Sequence, residues 1–168
     1  MLWCAPHSIE NSEEPEEMSD ATKTQPDTAN VMSTEFQSIF AKLRAILRKH
    51  GGTLRVKEDT PACYSLEGNA GPAALRAWGG KVKKPRIPVA WVQIGKEYVS
   101  YHLMPVYGNA TLRDEMSNEL KARMQGKSCF NFKSVDEALF QELEQLTVRG
   151  MAGFRKAGFI SDHTSAQG

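Results

Sequence analysis

Residues 87–107 read IPVAWVQIGKEYVSYHLMPVY. Val89 to Ile94 and Tyr98 to Leu103 are rich in β-branched and aromatic residues, with Gly95-Lys96 between them. A two-residue loop led by glycine fits a type II′ turn, whose twist matches that of the flanking strands. That turn pairs Ile94 with Glu97, Val92 with Val99 and Ala90 with Tyr101. Direct cross-strand partners share a face. One face then carries Ala90, Val92, Ile94, Val99, Tyr101 and Leu103 and reads as core. The other carries Val89, Trp91, Gln93, Tyr98, Ser100 and His102 and reads as a mixed, half-polar floor. A slip of one residue would exchange the two faces.

Working outward, the N-terminal side offers a helix from Thr34, where Thr34 with Gln37 matches a capping box. Phe36, Ile39, Phe40, Leu43, Ile46 and Leu47 recur at helical spacing, and Gly51-Gly52 ends the run. Two weaker strands follow, near Leu54 to Lys57 and Cys63 to Leu66. Residues 67 to 86 read as a long irregular connection containing Gly68, Gly71, Pro72, Gly79, Gly80 and Pro85. Ala73 to Trp78 offers one helical turn inside it. A loop of that length in a small domain is often functional.

On the C-terminal side Pro105 closes the hairpin. Thr111 with Asp114 reads as an N-cap, and Ser117 restarts the helix. Leu112, Met116, Leu120 and Met124 form its apolar stripe, with Gly126 as the glycine past its end. Ser128 to Phe132 reads as a strand. Ser134 with Glu137 is a capping box that opens a helix through Val135, Leu139, Leu143 and Leu146 towards Phe154. Helices, weak strands and a central hairpin in this order predict an α+β fold, an antiparallel sheet packed against an N-terminal helix and C-terminal helices.

A chain of 168 residues fits one domain. The charge is split. Up to Ser33 there are seven acids against Lys23, a balance of −6, while the remainder holds 20 Lys plus Arg against 13 acids, a balance of +7. Residues 1–32 are rich in Glu, Ser, Thr, Pro and Asp without an apolar period and read as a disordered acidic tail. Met18 and Met32 are alternative starts. The single domain is expected over 33–160, with a short disordered tail over 161–168. Three widely spaced cysteines form no disulfide framework and no metal signature. With no signal peptide and no apolar run near 20 residues, the expected location is cytoplasmic, away from membranes.

The candidate chemistry is sparse. Gly126-Lys127-Ser128 looks like the end of a phosphate-binding loop, but position 121 is Lys where the motif needs Gly, and a strand follows instead of a helix. His102 is the histidine placed in a confident strand. Trp91, Tyr98 and His102 define the floor of a ligand site, with Lys127 at its rim and Cys129 nearby. Cys63 and Cys129 are most simply buried small hydrophobes. A Cys129–His102 nucleophilic pair requires the two to be adjacent in space. Arg76, Lys81, Lys83, Lys84 and Arg86 make the densest basic cluster, with Trp78 interleaved. Low aromatic content and no RNA-binding signature argue against nucleic acid. No residue spacing points to a metal or a cofactor.

The segment VQIGKEYVSYHLMPVY, followed by ELKARMQGKSCFNFKSVDEALFQELEQLT, resembles the YdhG-like proteins, a bacterial family of small domains mostly without assigned function. The resemblance spans Phe36 to Ile160. It is strongest in the hairpin ending SYHLMP, the strand GKSCFNF and the capped helix after it. It implies the same α+β fold. Some members are described as frataxin-like iron chaperones, a role that calls for an acidic ridge because iron favours oxygen ligands. The first helix here is basic, and Asp136, Glu137, Glu142 and Glu144 are spread as a solvated face would be. The expected function is a non-catalytic module binding a small molecule or a protein partner. The alternatives are an enzyme using His102 as acid/base, a weak iron-binding role, and a homodimer through the mixed face.

Overall fold

The structure, a computed structural model, describes residues 28–77, 79 and 85–161, with side chains from Thr34 onward. The tails before Thr28 and after Ser161 lie outside the described residues, as do Trp78, Lys81, Lys83 and Lys84. The elements are α1 (Thr28–Arg48), β1 (Arg55–Asp59), β2 (Cys63–Ala70), α2 (Pro72–Ala77), β3 (Arg86–Ile94) and β4 (Val99–Leu103). They continue with α3 (Met104–Tyr107), α4 (Ala110–Asp114), α5 (Asn118–Ala122), β5 (Met124–Gln125), β6 (Cys129–Phe132), α6 (Glu137–Lys156) and β7 (Ile160–Ser161).

The fold is α+β, as expected. The strands form one antiparallel sheet in the order β1-β2-β3-β4-β6-β5, with β7 paired to the far end of β2. The long helices α1 and α6 cover one face. Phe36, Ile39, Phe40, Leu43, Ile46 and Leu47 of α1 are all buried, and α1 packs on β3 and β4. Each such side chain contributes about 1.5–3 kcal/mol when removed from water. The helix begins at Thr28, not at Thr34, because residues 28–33 contain neither Pro nor Gly to stop it.

The central hairpin forms with its two faces as read, but in a different register. Ile94 pairs with Val99, Val92 with Tyr101 and Ala90 with Leu103. The corner residues are Lys96-Glu97, and Gly95 N–H donates to Tyr98 C=O at 2.9 Å. Gly95 therefore flanks the turn. A Cβ there would sit 3.0 Å from the Tyr98 oxygen, so glycine serves a close approach and not a type II′ corner. Moving the corner by one residue shifts every pair by two. Two is the period of the pleat, so each side chain keeps its face. Val89 is the exception: it is fully buried. A β-bulge between Leu66 and Glu67 pairs Leu66 with Ala90 and Glu67 with Pro88, leaving Val89 as the extra residue and turning it inward.

Much of the connection read as irregular is structured. Strand β2 runs to Ala70, α2 occupies 72–77 and β3 starts at Arg86. The C-terminal segment locks it in place. Gly71 N–H donates to Phe159 C=O at 2.8 Å and Ala73 N–H to Gly158 C=O at 2.9 Å. A Cβ on Gly71 would lie 2.2 Å from the Gly158 oxygen, so no larger residue fits this crossing. Two caps also differ from expectation. Asn109, not Thr111, caps α4 through a bond from Leu112 N–H, and Asp136, not Ser134, caps α6 through one from Leu139 N–H. Ser117 caps α5 as read, accepting from Leu120 N–H. Gly126 adopts φ +73 in the β5–β6 turn and does not end a helix.

In the core, the Tyr101 hydroxyl meets Thr147 Oγ1 at 2.7 Å, and Thr147 in turn donates to Leu143 C=O at 2.7 Å. Both residues are buried. The threonine proton is committed to the helix, so the phenol is the donor. That bond pins the sheet to α6.

Candidate functional site

On the face opposite the helices, the register lines up Ser65, Trp91, His102 and Cys129 across β2, β3, β4 and β6. Trp91 and His102 stack at 4.2 Å between ring centroids, 9° from parallel. Cys129 Sγ lies 3.6 Å from His102 Nε2. The thiol donates to Asn131 Oδ1 at 3.3 Å, and Asn131 Nδ2 donates to Gln125 Oε1 at 2.8 Å. The Tyr98 hydroxyl reaches the same Gln125 oxygen at 3.5 Å. The structure thus brings Trp91, Tyr98, His102 and Cys129 onto one face as a single chain of contacts.

The chemistry of that chain is muted. Burial holds the His102 pKa down, to about 4, and pushes the Cys129 thiol up, to about 11. Both shifts have the same cause, loss of hydration of the charged form. With the thiol proton aimed at Asn131, sulfur is left to accept from an Nε2–H. That is a neutral arrangement, the opposite of the thiolate–imidazolium pair a nucleophile needs. Cys63 is buried, as read, but it is disulfide-bonded, so the expectation that the three cysteines form no disulfide does not hold. Cys129 is the free cysteine among the described residues.

Lys127 is not part of this floor. It sits in the β5–β6 turn with Nζ 5.5 Å from the centre of the Tyr107 ring. Arg86 ion-pairs with Glu67 at 3.8 Å, and Arg76 is exposed at the end of α2. The other basic-loop candidates, Lys81, Lys83 and Lys84, fall outside the described residues. No group of three or more His, Cys, Asp or Glu side chains converges among the described residues. Among them, too, no helix is long and apolar enough to cross a membrane.

An apolar concavity lies elsewhere, at the end of the sheet where β3 begins and β4 ends. A cavity of about 400 Å³ opens between α2, α3 and the last turns of α6. Its walls include Ala74, Ile87, Pro88, Met104, Pro105, Phe154 and Phe159, with Tyr107 and Asn109 as the side chains bearing polar groups. Gly153 leaves the space open: a Cβ there would meet only Asn109 Nδ2, at 4.0 Å. The Asn109 oxygen is taken by Leu112 N–H at 3.2 Å, so its amide offers donors. Sequence reasoning missed this site, because its walls are mostly apolar residues drawn from four separate segments. The available signal was the run Gly150, Ala152, Gly153, Ala157, Gly158, since small residues along a helix leave room beside it.

No family model, curated protein or solved structure matches this chain.

Proposed function

We propose that this protein is a non-catalytic binding module for a small, largely apolar molecule, held in the cavity at the end of the sheet. The observation that carries the reading is the cavity itself. About 400 Å³ with apolar walls and few polar groups falls within the usual range of ligand sites, roughly 300–1,000 Å³. A cytoplasmic location accords with this reading. Kinship with the YdhG-like domains belongs to it as well, supported by the hairpin and by the strand 129–132 lying beside it in the sheet.

The test is binding of N-phenyl-1-naphthylamine, an uncharged apolar fluorophore, by the full chain. Saturation at one site per chain is expected, with loss of binding in Gly153→Phe, whose ring would occupy the cavity. An unchanged isotherm in a folded Gly153→Phe protein would overturn the reading.

A second reading, an enzyme built on Cys129 and His102, draws on their 3.6 Å separation. It requires a thiolate near neutral pH, and burial shifts both groups the wrong way for that.

A further inference from the structure

The charged groups on the segments that wall the cavity are all of one sign. We infer that the ligand of this cavity is a medium-chain carboxylate, an apolar body with an anionic head. The inference rests on the cavity being the binding site. Arg76 directly precedes the wall residue Ala77 in the chain, and Lys156 directly precedes the wall residue Ala157. Lys127 places its ammonium 5.5 Å from the Tyr107 ring, which forms part of the wall. The segments 72–77, 104–109 and 153–159 contain no Asp or Glu. Among the described residues, none of these three cations is paired with a carboxylate.

Two features work against an anion, and both are already neutralised. Glu67 lies opposite the wall residue Pro88 and has Arg55 at 3.5 Å and Arg86 at 3.8 Å. The C-terminus of α6 would present negative carbonyls. The oxygens of Gly153, Phe154 and Arg155 accept from the amides of Ala157, Phe159 and Gly158. Arg155 itself is engaged with Thr53 Oγ1 at 2.6 Å and is not needed for the argument. Of the two polar side chains in the wall, Asn109 offers its amide as a donor, which suits an acceptor head. An alkyl body matches walls that offer almost no other polar partner.

The experiment is displacement of N-phenyl-1-naphthylamine by three probes of equal chain length: decanoate, decanol and decyltrimethylammonium. Decanoate is expected to compete at least tenfold better than the cation, with decanol between them. Lengthening from octanoate should tighten binding about fourfold per methylene, the factor that corresponds to burying one CH₂. The paired substitution Lys127→Gln and Lys156→Gln should weaken decanoate about threefold per charge removed, as befits exposed cations, and leave decanol unchanged. Equal competition by all three probes, or preference for the cation, would overturn the carboxylate while leaving the cavity as the site. Failure of every probe, with the fluorophore equally bound in Gly153→Phe, would remove the site itself.

Discussion

Two regions of this molecule carry polar side chains next to large apolar surfaces, and they differ in what those polar groups face. Across the sheet, Trp91, His102, Cys129, Asn131, Gln125 and Tyr98 face one another. At the end of the sheet, Asn109 and Tyr107 face a hollow, with the Lys127 ammonium 5.5 Å from the Tyr107 ring and no ion pair to it among the described residues. Groups that satisfy each other have little left for a ligand, and burial keeps His102 and Cys129 uncharged. Groups that line a void still have bonds to give. The first region resembles a site by composition, and the second has the concave shape that ligand sites usually have.

The sharpest way to break that comparison is to titrate His102. Its pKa lies near 4 in the folded chain, below the ordinary value of 6.5. Between those values the unfolded chain takes up a proton that the folded chain refuses. The stability this group contributes is therefore complete above about pH 6.5 and is lost as pH falls towards 4. The loss amounts to about 2–3 kcal/mol after allowing for residual solvent contact. Urea unfolding at pH 7.5 and 4.5 should show that loss, and His102→Gln should be missing it. Identical pH dependence in the two proteins would mean that the imidazole is hydrated, and the contrast between the regions would fail.

A smaller effect sharpens the same contrast. With its pKa pushed up to about 11, Cys129 should react with iodoacetamide at pH 8 roughly 100-fold more slowly than a free thiol of ordinary acidity. A rate equal to glutathione's or faster would restore the Cys129–His102 pair as a candidate nucleophile. The smallest effect separates two glycines on one helix. Gly153→Ala adds a methyl group to open space and should stabilise the fold by about 0.5–1 kcal/mol, the helix preference for alanine. Gly150→Ala places its Cβ 3.1 Å from that of Pro105 and should gain nothing or lose stability. Thermal denaturation of the pair would reverse this order if the space beside Gly153 were filled.

What the sequence made legible followed from periodicity. The hairpin faces survived a wrong turn because pleat parity is insensitive to a shift of two, while the register itself was decided by a contact, the approach of Gly95 to Tyr98. The helix caps were ambiguous for a different reason. Ser, Thr, Asn and Asp occur two positions apart at both helix starts, and any of them can cap. The structure selects the same solution three times: Asn109, Ser117 and Asp136 each accept from the amide of a buried leucine three residues on. Counting back from the first core leucine would have found all three. The row of Trp91, His102 and Cys129 was readable in part, since His102 and Trp91 share a face by parity. Its neutrality was not, because desolvation depends on what surrounds each group. The cavity was the least legible feature, since a void is defined by atoms that are missing.

The crossing at Gly71 has a consequence for how the protein is made. The meander of β1 to β4 and the strand β6 leave the ribosome before α6 is complete, and they can pair among themselves. Helix α2 then still lacks two backbone anchors, because the carbonyls that accept from Ala73 and Gly71 belong to Gly158 and Phe159. During synthesis the hollow gains its last wall only when those residues emerge. The hollow is thus a property of the finished fold and not of its central sheet.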